Sequence, residues 1–183
     1  MNKTTLSLLA VCLFASAAMA QATWPGNATD FECELRINNV IDTTSSRVVT
    51  VNTLDIVVLR FNSPMGATNG QFFSAFYQVM YTGTALTSLV IPGETPPGGF
   101  WLDNTGLNPG LVTGVVPYVD GLGFGGPNFL APVLLPGGSS FSFAVPAILG
   151  GQGISLLLQA VVAEPGLNML GLGIDDCIEL QVN

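Results

Sequence analysis

The residues able to do chemistry in this 183-residue chain are few, and most of them are acids: twelve Asp and Glu stand against four Lys and Arg, with no His. Lys3 is the single lysine. The usual base for a Ser or Cys nucleophile is therefore missing, and so are Schiff-base chemistry and His-liganded zinc or iron. Gly121-Leu122-Gly123-Phe124-Gly125-Gly126 is Gly-rich but lacks the strand-helix context and the cationic partner of a phosphate loop. What the composition leaves open is a carboxylate pair with one acid of raised pKa, the arrangement used by glycosidases. Glu94, Asp103, Asp120, Glu164, Asp175 and Asp176 are the acids at loop positions. Loop acids are ordinarily solvated, so the expectation is a protein that is not an enzyme, with no catalytic residue assigned. Hard oxygen ligands at Asp103-Asn104, Asp120 or Asp175-Asp176 would suit calcium, but none has the spacing of a recognised calcium loop and no metal ligand is assigned.

Two cysteines, Cys33 and Cys177, remain once an N-terminal leader carrying Cys12 is set aside. In an oxidising compartment a Cys33–Cys177 disulfide is expected, closing a long loop worth on the order of 4–5 kcal/mol in the chain-entropy account. The strand pattern argues the other way. Cys33 shares its face with Phe31, Leu35 and Ile37, whereas Cys177 alternates with the apolar Ile178 and Leu180. Cysteines on opposite faces cannot bond. Either a bulge near Asp175-Asp176 resets the phase, or the bond is absent or intermolecular.

The aromatics supply the other candidate chemistry. Trp101 and Tyr118, with Phe100 and Phe124, could form a platform for stacking sugar rings; the alternative is that they plug the end of a sandwich. Trp24 carries the same ambiguity. Asn27-Ala28-Thr29 matches an N-glycosylation acceptor.

The elements that must position these residues read as strands. In Gly153 to Ala163, Ile154, Leu156, Leu158, Ala160 and Val162 occupy one face; Ser155 and Gln159 mark the other, which also carries Leu157 and Val161. Period two with apolar residues on both faces predicts a central strand covered on both sides. Glu164-Pro165-Gly166 turns the chain, and Ile178, Leu180 and Val182 alternate to its end in a last strand that either closes a sheet or is lent to a neighbour. Upstream, Phe31 to Asn38, Arg47 to Val51, Leu54 to Asn62 and Gln71 to Thr82 read as strands, the last alternating through Phe73, Ala75, Tyr77, Val79 and Tyr81. From Pro92 to Gly138, 20 of 47 residues are Gly or Pro, yet apolar pieces persist, which predicts ordered loops and short strands pinned to the sandwich. The expected fold is an all-β antiparallel sandwich, Ig-like or jelly-roll-like, of roughly eight to ten strands.

Residues 1–20 carry one cation, an apolar run from Leu6 to Ala18 and Ala18-Met19-Ala20, the pattern of a secretory signal cleaved after Ala20. Leu9-Ala10-Val11-Cys12 faintly matches a lipoprotein site, with Val11 larger than usual there. Residues 21–183 then form one domain, soluble or attached to a surface outside the cytoplasm and not an integral membrane protein. Three arginines against twelve acids give a net charge near −9, which disfavours nucleic acid and anionic membranes as partners.

A further expectation comes from resemblance. Phe31-Glu32, then Gly137-Gly138-Ser139 before Phe141-Ser142-Phe143, then Val145-Pro146 and Gly151-Gln152 leading to Leu157-Leu158-Gln159-Ala160, resemble a group of small secreted proteins of unknown function from planctomycete-type bacteria. The resemblance lies mainly in residues 137–183; Cys177 departs from it. It implies a secreted β-sandwich and no activity. The functional expectation is a secreted, non-catalytic structural or adhesive protein of the envelope or extracellular matrix, partnered by itself or by other envelope components. The alternative is an extracellular carbohydrate-binding module assisted by calcium.

Overall fold

Period-two alternation over Ile154–Ala163 becomes the longest strand among the described residues, and both of its faces are buried. The computed structural model describes residues 24–43, 47–86, 99–102, 110–123, 134–135 and 140–183. The proposed signal, Glu94, Asp103 and Phe124 lie outside them. Within them the chain forms ten strands and a single 3-10 turn at Ala147–Leu149: β1 (Glu32–Ile37), β2 (Val40–Ile41), β3 (Val48–Val51), β4 (Ile56–Asn62), β5 (Phe73–Tyr81), β6 (Val116–Asp120), β7 (Ser140–Ala144), β8 (Ile154–Ala163), β9 (Leu172–Ile174) and β10 (Ile178–Val182). The first sheet has the order β2-β1-β4-β7 and the second β3-β10-β8-β5-β6, with β9 also paired to β8. All pairings are antiparallel except β3 with β10. The expected all-β sandwich is what forms. No helix among the described residues is long and apolar enough to cross a membrane.

The core between the sheets is built by the alternation read in the sequence. Cys33, Leu35, Leu59 and Phe61 point inward from the first sheet, and Phe73, Ala75, Leu158, Ala160, Val162 and Leu180 from the second. Phe61 meets Phe73 at 5.2 Å between ring centroids, and Phe141 approaches both. β1 and β2 are joined by Asn38-Asn39, both at positive φ (50° and 69°). Two left-handed residues match the twist of a two-residue hairpin, and Asn tolerates that conformation.

The outer face of the second sheet is covered as well. Phe76, Met80, Leu157, Val161, Ile174 and Cys177 form a second apolar cluster under Trp24, Phe100, Trp101 and Leu102. Polar residues on this face are buried and bonded to the covering segments. The Gln159 Nε2 donates to the carbonyls of Gly99 and Asp175 at 2.9 Å each, while its Oε1 accepts from the Trp101 amide at 2.8 Å. Gln78 donates to the Thr113 carbonyl at 3.1 Å, and Ser155 donates to Glu179 at 2.6 Å. The two residues that mark the polar face of β8 are thus anchors for the loop layer and for β10, not a solvated surface.

β10 lies between β3 and β8. Of the two roles open to the last strand, it closes its own sheet, and its backbone is occupied on both sides. Between β9 and β10 the register slips: Val161 faces Ile174, but Leu158 faces Ile178, so three steps along β8 match four along the return. That is a bulge at Asp175–Cys177. Residues 24–28 satisfy it: Asn27 and Ala28 amides donate to the Ile174 carbonyl, the Gly26 amide to Asp176, and the Cys177 amide to the Trp24 carbonyl. A Cβ at Gly26 would sit 2.0 Å from the Ile174 carbonyl oxygen, so this approach requires glycine. The Asn27 Oδ1 accepts from the Ile174 amide at 2.8 Å, which commits the side chain of the glycosylation motif to the fold.

Asp30 plays the corresponding role at Ser63–Thr68. Its carboxylate accepts from the Ser63 hydroxyl and from the Met65 and Ala67 amides at 2.5–2.6 Å. Burial pushes its pKa up, but these donors outweigh it and hold the carboxyl below the usual range.

Replacing Gln159 by Leu is expected to cost about 2–4 kcal/mol in urea denaturation, because two carbonyls and an amide lose their buried partner. A loss below about 0.5 kcal/mol would show that the loop layer is held by other contacts. Asp30 is expected to add stability that is complete above the unfolded carboxylate value of about 4 and is lost as pH falls through its lower folded value. The acid limb of the stability curve should therefore be shallower in Asp30→Asn than in the parent.

Candidate functional site

The residues singled out for chemistry are not gathered at one place. Cys33 and Cys177 are both buried free thiols, and the expected disulfide is not formed. Cys33 points from the first sheet into the core between the sheets, while Cys177 belongs to the cluster on the far face of the second sheet. The bulge does reset the phase, but it turns Ile178 inward and leaves Cys177 beside Ile174 on the outer side. Burial, then the charge of Asp175, push both thiols up, so neither is a ready nucleophile.

Trp101 and Tyr118 are likewise separated by the thickness of the second sheet. The Trp101 indole donates from Nε1 to the Pro25 carbonyl at 2.8 Å and packs over the outer cluster, where it ties the Gly-rich segment to the N-terminal one. Tyr118 packs on the inner core, 5.8 Å edge-on to Phe141 and 6.4 Å from Tyr77. The stacking platform is not assembled from this pair; each aromatic closes a different apolar layer.

The acids at Asp175-Asp176 fall where the bulge meets β1. A cavity of about 220 Å³ there is lined by Glu32, Cys33, Arg47, Asp175 and Asp176, with Gly26 at its rim. Arg47 enters at a positive φ of 57°, an uncommon conformation for a large residue, and its guanidinium donates to the Cys33 carbonyl at 2.7 Å. Its Nε is buried without a partner. The Asp175 Oδ1 accepts from the Ala160 amide at 2.7 Å. Burial pushes this carboxyl up to about 8; the Ala160 bond and Arg47 pull down and Asp176 pushes further up. Among the described residues the one ion pair within 4 Å is Arg36 with Glu34, so Arg47 and Asp175 act on each other at longer range. An acid that keeps its proton near neutral pH, beside a fixed cation, can donate a hydrogen bond or a proton. The sequence placed Arg47 at the start of a strand; its half-buried position depends on β3 lying beside β10.

Asp120 is buried and accepts from Ser74 at 3.0 Å, and Glu164 accepts from Thr29. Among the described residues no group of three or more Cys, Asp or Glu is placed to hold a metal ion.

The second cavity, about 430 Å³, opens on the inner core beside β7. Tyr77, Tyr118, Phe141, Phe143, Leu156 and Leu158 form most of its wall. The Tyr118 hydroxyl is buried and has no hydrogen-bond partner. β7 itself is an edge of the first sheet, paired to β4 alone among the described strands. Ser140, Ser142 and Ala144 face outward, Phe141 and Phe143 inward. Two other edges are guarded, since β2 has two residues and β6 carries Pro117 opposite a register shift at Ala75/Phe76, while β3, at four residues, is uncharged like β7. β7 has five residues with no charge, proline or bulge.

Comparison with known proteins leaves the site without a precedent, since no family model, curated protein or solved structure matches this chain.

The raised Asp175 carboxyl implies a definite pH dependence. Its folded value near 8 exceeds the unfolded value near 4, so the stability it contributes is complete below about pH 4 and is lost as pH rises through about 8. Between these limits Asp175→Asn is expected to lose at least about 1 kcal/mol less stability than the parent in pH-resolved denaturation. Parallel curves for the two proteins would mean that the carboxyl is ionised throughout.

Proposed function

We propose that this protein is a secreted, non-catalytic structural protein of the envelope or extracellular matrix that associates with a second copy of itself through the free edge of β7. The observation that carries this reading is the unguarded edge. An exposed strand offers a row of unpaired N–H and C=O groups, and sheets ordinarily blunt such edges with charge, proline, bulges or brevity. Among the described residues β7 has none of these, whereas β2 is cut to two residues and β6 carries a proline at a register shift.

A second copy is a chemically matched occupant. Antiparallel pairing centred on Ser142 sets Ser142 against its own counterpart, Phe141 against Phe143, and Ser140 against Ala144. The four phenylalanines then lie on one face of a sheet that continues across two molecules. The strand brings no charge to the contact, whereas the chain after the signal, with three arginines and twelve acids, repels its copy at long range. Screening by salt should therefore strengthen the association.

Light scattering coupled to size exclusion tests this. A dimer is expected that tightens on going from low salt to about 0.15 M, where charges beyond about 8 Å are screened. Ser142→Glu places like charges directly opposite on an exposed position and should weaken the dimer about tenfold without altering thermal stability. A parent that stays monomeric at high concentration in both salts would overturn the reading.

A further inference from the structure

The cavity at the bulge brings charges of both signs into one walled space. Glu32 from β1, Arg47 just ahead of β3, and Asp175 and Asp176 from the bulge supply its polar groups, while Ala28, Phe31 and Ile174 give it an apolar side. Glu32 is exposed and Arg47 and Asp176 are half-buried, so the cavity reaches solvent. At about 220 Å³ it is smaller than the ~300–1,000 Å³ of drug-sized pockets, and at ~30 Å³ per water it has room for about seven, which suits a ligand of about six heavy atoms.

The charges specify that ligand further. Burial keeps the proton on Asp175 near neutral pH and on the Cys33 thiol as well, so both are neutral there. The charged groups of the lining are then Arg47 against Glu32 and Asp176. Arg47 is held at a φ of 57°, a conformation that persists in a large residue only where its surroundings fix it. Its guanidinium spends one amine on the Cys33 carbonyl, Asp175 spends Oδ1 on the Ala160 amide, and Asp176 spends Oδ1 on the Gly26 amide. The remaining amine of Arg47 and the second oxygen of each carboxyl are not used by these bonds. A ligand of one sign meets a like charge in the same small space, whereas a zwitterion is complementary to both.

We infer that this cavity binds a small free α-amino acid with a short aliphatic side chain, such as alanine. Its carboxylate accepts from Arg47 and from the protonated Asp175, its ammonium donates to Asp176 and Glu32, and its methyl group lies against Ala28, Phe31 and Ile174. No residue of β7 lines the cavity, so the inference stands apart from the pairing proposed above.

The test is a titration with L-alanine followed through the backbone amide resonances of Gly26, Ala160 and Asp176. Saturable shifts are expected, with one site per chain and a Kd on the order of 1 mM. Acetate and methylammonium, which each carry one of the two charges, should bind at least about tenfold more weakly. Asp176→Asn keeps an acceptor for the Gly26 amide and should weaken alanine about tenfold without disturbing the fold, and Arg47→Gln should weaken it by at least about as much. Asp175→Asn keeps a donor, so its affinity should stay within about twofold of the parent at about pH 6 and not fall as pH passes about 8, where the parent's carboxyl ionises and repels the ligand carboxylate. Absence of saturable shifts would overturn the site. Equal binding of acetate or methylammonium would overturn the requirement for a zwitterion, unchanged affinity in Asp176→Asn would overturn the placement of the ammonium, and a parent affinity that holds above about pH 8 would overturn the role of Asp175.

Discussion

The rest of the structure depends on the burial of β8 on both faces. Its inner residues complete the core against the first sheet, which any sandwich strand does. Its outer face carries Leu157 and Val161 together with Ser155 and Gln159, and the polar pair sets the constraint. A buried amide side chain has to find partners for its donors and its acceptor. Gln159 finds them in the backbone of Gly99, Trp101 and Asp175, so the Gly/Pro-rich segment and the C-terminal bulge are held to one side chain. Residues 99–102 are thereby part of a third layer over the sheet.

The bulge at Asp175–Cys177 is the second organising feature, and it follows from that layer. One extra residue lets Ile174 serve the outer cluster and Ile178 the inner core on what is otherwise one return strand. The backbone groups it frees are taken up by residues 24–28, which leaves a polar cavity where Arg47 and Asp175 face each other across low-dielectric surroundings. The same displacement keeps the two thiols on opposite sides of a sheet. Stability that a disulfide would have supplied comes here from two apolar layers and from buried side-chain to backbone bonds.

On the other flank the sandwich is less complete. Among the described strands the four-stranded sheet ends at β7, whose phenylalanines and the neighbouring tyrosines border a cavity. An uncharged edge and an apolar cavity next to it set this side apart from the polar, internally bonded end around the bulge.

Strand identity was legible in the sequence because side-chain alternation is local. Phe73 to Tyr81 and Ile154 to Val162 declare their faces by period two, and the apolar residues on the second face of β8 announce a central strand without any knowledge of its neighbours. The Asn38-Asn39 hairpin carried a readable signal too, since asparagine tolerates the left-handed conformation, and it passed as the end of one strand. The opposition of Cys33 and Cys177 was present in the pattern, though compartment chemistry argued for a bond. What only the tertiary structure decided is which residues separated in sequence share an environment. The buried Arg47 Nε needs β3 beside β10, the raised Asp175 carboxyl needs the bulge and the N-terminal segment over it, and the cavity needs β7 set against β5, β6 and β8. Those are products of long-range pairing and desolvation, and no local spacing encodes them. Sequence alone therefore determined the strands and their faces, while the fold decided the neighbours and with them the chemistry.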